Sequence, residues 1–110
     1  MSKIFVIDID DTISKWDDNR DFLKFKPNQK TIDKINLLYD KGHRIVLFTA
    51  RGMRMYQNKA LAEANNRKTL ELWLNNNKVK YHELIFGKPF GDYYIDDKNL
   101  SISEFIEWES

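Results

Sequence analysis

Two apolar runs with one amphipathic stretch between them limit what this chain can fold into more than any other feature. Residues 3 to 9, KIFVIDI, and 44 to 50, RIVLFTA, are near-continuous and rich in β-branched side chains. That is the pattern of strands covered on both faces rather than strands with one wet side. Between them, Pro27 opens a helical spacing with apolar side chains at Ile32, Ile35, Leu38 and Tyr39, and Gly42 falls where a helix C-terminus places a glycine. Strand, helix, strand in so short a span is a βαβ unit, with a right-handed crossover.

The alternation continues. From Gly52 to Asn66 the chain is polar and irregular, and reads as a loop or broken helix. RKTLELWLNN then spaces Leu70, Trp73 and Leu74 for a second core helix. HELIFG reads as a third strand, DYYID as a fourth, and SISEFIEW as a short terminal helix capped by Ser101 or Ser103. No repeat, low-complexity tract or linker interrupts the pattern. The expectation is a single domain over residues 1–110, an α/β fold with a small parallel sheet and helices on both faces.

Composition narrows the function classes. A domain of 110 residues buries roughly two-thirds of its unfolded surface, enough for a core. Lysine and arginine (18) nearly balance aspartate and glutamate (17), and the net charge of +1 gives no electrostatic basis for a nucleic-acid partner or an anionic membrane. The chain has no cysteine, which excludes disulfides, thiolate zinc sites and cysteine nucleophiles. His43 and His82 are too few for a histidine-rich metal site. MSKIFVIDID has no signal-peptide pattern and no apolar stretch nears about 20 residues, so the expected setting is the cytoplasm, away from membranes.

The first strand ends in three carboxylates and a hydroxyl: Asp8, Asp10, Asp11 and Thr12. Carboxylates this close repel, so the stretch is either a solvated turn or a site that expects a cation. Ligands of open parallel sheets bind at the carboxyl ends of the strands, and further polar groups fall at such ends. The second strand delivers Thr49, the third leads to Lys88 in FGKP, and the fourth ends in Asp96 and Asp97. Singly, each has a plain structural reading as a turn, a cap or a surface lysine. Together, in the order acidic, hydroxyl, basic, acidic, they match phosphoryl transfer assisted by Mg²⁺. That ion takes oxygen ligands, a carboxylate can attack phosphorus, and a second carboxylate can carry the proton. A hydroxyl and an ammonium can hold the remaining phosphoryl oxygens.

DIDDT (8 to 12), LFTAR, GKP and YIDD resemble, in that order, the four motifs of the haloacid dehalogenase superfamily of phosphatases. FTARGMRMY, WLNNNKVKYHELIFGKP and YYIDDKNLSISEF resemble more closely the small capless phosphatases encoded in bacterial capsule-polysaccharide clusters. The resemblance implies a small Rossmann-like three-layer sandwich with a mostly parallel central sheet and no separate cap domain. It implies Asp8 as nucleophile and Mg²⁺ ligand, and Asp10 as general acid/base that also binds the metal through its backbone carbonyl. Thr49 and Lys88 would orient the phosphoryl group, Asp96 would ligate Mg²⁺ directly and Asp97 through water. Arg51, just past Thr49, is a candidate for substrate contact. The implied substrate is a small phosphorylated metabolite, a phosphorylated sugar or a relative of one.

Two features depart from that family pattern. Asp11 stands where the superfamily often has glycine, and a positive φ there suits aspartate less well. Between Thr12 and Pro27 there is room for a flap (about 13–26) but not for a folded cap. The flap, the 52–66 loop or a neighbouring subunit of a homo-oligomer is then needed to cover the site, with Trp16, Met53, Met55 and Tyr56 as the side chains to follow. Three rivals stand beside this reading: a nucleotide phosphatase, a catalytically silent binding protein, and a receiver-like phosphorylation switch. The last needs an acceptor aspartate at the end of a middle strand, whereas Asp17, Asp18 and Asp21 lie in the flap and Asp33 and Asp40 in the helix.

Overall fold

The structure, a computed structural model, describes residues 2–19 and 21–109. In chain order its elements are β1 (Ile4–Asp8), β2 (Ser14–Lys15), a 3₁₀ turn (Phe22–Lys24), β3 (Lys26–Pro27), α1 (Gln29–Asp40), β4 (Arg44–Thr49), α2 (Met53–Tyr56), α3 (Lys59–Asn76), β5 (Glu83–Phe86) and α4 (Ile102–Glu107). β1, β4 and β5 form a parallel three-stranded sheet in that order, with Val6 opposite Val46 and Leu47 opposite Leu84. Helices flank it, so the fold is α/β. β2 and β3 form a separate antiparallel pair that closes the base of the flap; Arg20, within the flap, lies outside the described residues.

Side chains alternate along a strand, and here one face takes the core. Ile7, Ile45, Leu47, Leu84 and Phe86 pack with Ile32, Ile35 and Leu38 of α1 and with Leu70, Trp73 and Leu74 of α3. Phe105 of α4 joins them, edge-on to Phe5 at 5.7 Å. Among the described residues, the expected helices on both faces are not found. The strand order advances one way only, so two right-handed crossovers deliver α1 and α3 to the same face. On the other face of β1, Ile4 and Val6 stay 68% and 62% exposed, which also corrects the reading of that strand as covered on both sides.

Helices occupy opposite faces where the strand order reverses, and a fourth strand beside β1 would have made that reversal. Residues 92–96 are irregular instead. Only residues 87–91 separate β5 from Asp92, whereas a parallel crossover takes about a dozen residues or more.

Two boundaries also moved for local reasons. Pro27 pairs with Ser14, so α1 starts after Asn28, whose backbone N–H donates to the Ile13 carbonyl at 2.7 Å. α3 begins at Lys59, well before the apolar spacing announces it. Asn58 caps it by accepting the Leu61 N–H at 3.1 Å, and its first turns are made of good helix formers of which Ala62 is buried. Gly42 takes the position expected of it, at φ +91° past the end of α1. Ser101, not Ser103, caps α4, in a capping box with Glu104.

Both histidines serve the backbone at the N-terminal ends of the strands, away from the acidic cluster. The Nδ1 of His43 accepts the Lys3 N–H at 2.9 Å, and that of His82 accepts the Ile45 N–H at 3.0 Å. Trp73 ties the flap to α3, its Nε1–H donating to the Phe25 carbonyl at 2.8 Å. Among the described residues, no helix is long and apolar enough to cross a membrane.

Candidate functional site

The adjacent C-terminal edges of β1 and β4 build the site. Asp8 is the last residue of β1, in register with Phe48, and Thr49 is the last of β4. Past Asp8 the buried Ile9 anchors a tight turn, its carbonyl accepting the N–H groups of Thr12, Ile13 and Ser14 at 2.8–3.1 Å. Asp11 sits in that turn at φ +61°. Aspartate is among the few residues that tolerate this region, and its side chain accepts the Trp16 N–H at 2.9 Å. Asp11 is therefore a flap anchor.

The turn folds Thr12 back so that its hydroxyl donates to Asp8 Oδ2 at 3.4 Å. Lys88 reaches Asp8 from beyond β5: its backbone N–H donates to the Thr49 carbonyl at 3.2 Å, and its Nζ stands 3.2 Å from Asp8 Oδ1. The same ammonium lies 3.9 Å from the centre of the Tyr94 ring and 5.8 Å from that of Phe48. Asp10 faces a different pair. The Thr49 hydroxyl lies 3.5 Å from Asp10 Oδ2, and the Nη2 of Arg51 donates to Asp10 Oδ1 at 2.7 Å. Thr49 also accepts the Arg51 backbone N–H at 2.9 Å.

Two acids and two bases thus alternate in one small volume, and each carboxylate has a cation of its own from the chain. Burial pushes the Asp8 carboxyl up from its ordinary 3.8; Lys88 pulls it back in part, and the nearby Asp10 charge pushes it up further. Asp8, Asp10, Thr49, Lys88 and Arg51 are therefore brought together as expected. Asp96 and Asp97 are not. Both are exposed in the irregular segment beyond Tyr94, and the Lys98 N–H, 2.8 Å from Asp96, holds that carboxyl below its usual range.

Asp8 and the backbone oxygen of Asp10 are hard donors of the kind Mg²⁺ takes. Among the described residues, however, no three of His, Asp and Glu stand together as a metal-binding group, so the expected set of Asp8, the Asp10 carbonyl, Asp96 and, through water, Asp97 is not assembled.

Three contacts were absent from the sequence reading. The Phe22 ring lies 4.4 Å from the Arg51 guanidinium carbon, the Phe25 ring 5.9 Å from it, and Tyr94 packs on Lys88. Nothing local in the sequence signals the first two, because the path of the flap sets them. Tyr94 lies in DYYID, the expected strand that does not form. Trp16 packs edge-on to Phe22 and Phe25 at 6.0 and 5.2 Å, as part of the same aromatic group, while Met55 is exposed.

No family model and no curated protein matches the chain. A crystal structure of an MCSG target protein from Vibrio cholerae is similar, with a TM-score of 0.89 and 29% identity over 99% of this chain and 90% of that one. The likeness covers nearly the whole chain, so it extends to the architecture as a whole. That protein is named as a target alone and brings no activity with it.

Proposed function

We propose that this chain is a phosphomonoester hydrolase of the haloacid dehalogenase kind, acting with Mg²⁺ on a small phosphorylated metabolite, a sugar phosphate of polysaccharide or capsule synthesis foremost. The observation that carries the proposal is the pairing of Asp8 with Lys88 and of Asp10 with Thr49 and Arg51 at the carboxyl edge of two parallel strands. A nucleophile within hydrogen-bond distance of Lys88, and a proton carrier within that of Thr49, are contributed by segments far apart in the sequence.

In the first step an oxygen of Asp8 attacks phosphorus, the bond from phosphorus to the ester oxygen breaks, and that oxygen takes a proton from Asp10. In the second, water attacks phosphorus of the aspartyl-phosphate, Asp10 takes a proton from the water, and Asp8 leaves with inorganic phosphate released. Lys88 and Thr49 hold the non-bridging oxygens as charge moves between them. Before substrate binds, Lys88 offsets the repulsion between Asp8 and Asp10. Mg²⁺, which Asp8 and the Asp10 carbonyl would hold, would supply further charge neutralisation at the phosphoryl oxygens.

Phosphate release is measured with and without Mg²⁺ over sugar phosphates, mononucleotides and an aryl phosphate. Metal-dependent release is expected, fastest on a sugar phosphate, with Asp8→Asn folded and lower by at least about 1,000-fold, as for loss of a nucleophile. A mononucleotide ranked first would replace the substrate class. No release from any ester by folded protein with Mg²⁺ would overturn the hydrolase.

A further inference from the structure

Arg51 has a feature that substrate contact alone leaves unexplained. Its side chain is 5% exposed, and its Nε and Nη1 are buried with no hydrogen-bond partner among the described residues. Its ionic contact with Asp10 is made through Nη2 alone. Buried N–H groups nearly always have acceptors, and leaving a charged one without them is costly. What covers this guanidinium is aromatic: Phe22, in the 3₁₀ turn of the flap, at 4.4 Å, with Phe25 behind it at 5.9 Å. A planar guanidinium stacks well on a ring. Stacking, rather than a fork of hydrogen bonds, therefore fixes how Arg51 is turned.

We propose that Arg51 and Phe22 form a clamp that positions Asp10. Phe22 holds the plane of the guanidinium, and the guanidinium holds one carboxylate oxygen of Asp10 while Thr49 faces the other. The flap thereby acts on proton transfer through a side chain that touches neither the phosphoryl group nor the ester oxygen. Phe22 and Arg51 are positioning residues, and the role rests on the hydrolase reading above. Its consequence is selective. An ester oxygen that leaves as a stable aryloxide needs no proton, whereas a sugar oxygen does. Misplacing the proton carrier by about 1 Å costs roughly 100-fold where the proton is needed.

The test compares a sugar phosphate with nitrophenyl phosphate for wild type, Phe22→Leu, Phe22→Tyr, Arg51→Met and the double variant Phe22→Leu/Arg51→Met. Phe22→Leu keeps apolar volume without the ring, and each variant is first shown to be folded by circular dichroism. Asp10 serves the second step of both esters alike, so the comparison is made in kcat/KM, which reports departure of the ester oxygen. In Phe22→Leu and Arg51→Met it is expected to fall roughly 10- to 100-fold more on the sugar phosphate than on nitrophenyl phosphate. Phe22→Tyr should restore the wild-type ratio, and the double variant should be no worse than Arg51→Met alone. Wild-type turnover of both esters with equal losses of kcat/KM on each, or losses that multiply in the double variant, would overturn the clamp and leave the hydrolase standing. Wild type releasing phosphate from neither ester would overturn the hydrolase, and this role with it.

Discussion

At the scale of single residues, the Asp8 carboxylate is out of balance in the absence of a cation. Burial raises its pKa above 3.8, and Lys88 at 3.2 Å recovers only part of the loss. A group whose pKa is raised on folding lowers stability wherever it is ionised: its contribution is intact below the unfolded value and is lost as pH rises through the folded one. Asp8→Asn removes that charge at every pH. In buffer with a chelator, the variant is expected to unfold at higher urea than wild type at neutral pH, the gap closing as pH falls toward 3.8. A less stable variant at neutral pH, or a gap that widens on acidification, would contradict this. Asp8, Asp10, Thr49 and Lys88 were legible because each follows an apolar run closely enough for strand geometry to place it. Phe22 and Tyr94 were not, because what brings them to Arg51 and Lys88 is the course of irregular chain, for which the sequence has no period to read.

Among the elements, the turn from β4 into α3 is the most tightly constrained. Gly52 adopts φ +83°, and a Cβ there would come within 3.0 Å of the Ala62 backbone and 2.7 Å of the Asn66 side chain. Gly42, at φ +91°, has nothing within 4 Å. Gly52→Ala combines a disfavoured dihedral with a backbone clash and is expected to cost roughly 2–4 kcal/mol in urea unfolding, whereas Gly42→Ala should cost about 1 kcal/mol, from the dihedral alone. Equal costs would mean that α3 shifts freely, and Arg51, which precedes Gly52, would then be less fixed than described. β4, β5 and the second half of α3 were legible from their periodicity. The first half of α3 was not, because it presents little apolar surface; its evidence lay in Asn58 as a cap and in good helix formers, a weaker signal than burial. DYYID misled for the opposite reason: its side chains suit a strand, but the chain before it is too short for the crossover.

On the scale of the whole molecule, one strand order decides both the core and the site. Because β1, β4 and β5 advance in one direction, both crossover helices and α4 gather on one face, and a single core joins residues from the flap to the C-terminal helix. The same parallel order sets the ends of β1 and β4 side by side, so that residues distant in sequence meet. The parallel order of the first strands could be read from the two apolar runs and the helix between them. The exposure of Ile4 and Val6 on β1 could not, since a continuous apolar run reads as buried on both sides whether or not a second layer arrives. The central claim is that Asp8, placed by that architecture against Lys88, becomes phosphorylated during turnover. The measurement that tests it most directly is acid quenching while a sugar phosphate is being hydrolysed with Mg²⁺, followed by mass analysis of the peptide that contains Asp8. The account predicts one phosphoryl group on Asp8, lost on standing in alkali and missing from Asp8→Asn. Phosphate release at full rate by Asp8→Asn, or turnover that leaves Asp8 unmodified under every quench, would contradict it.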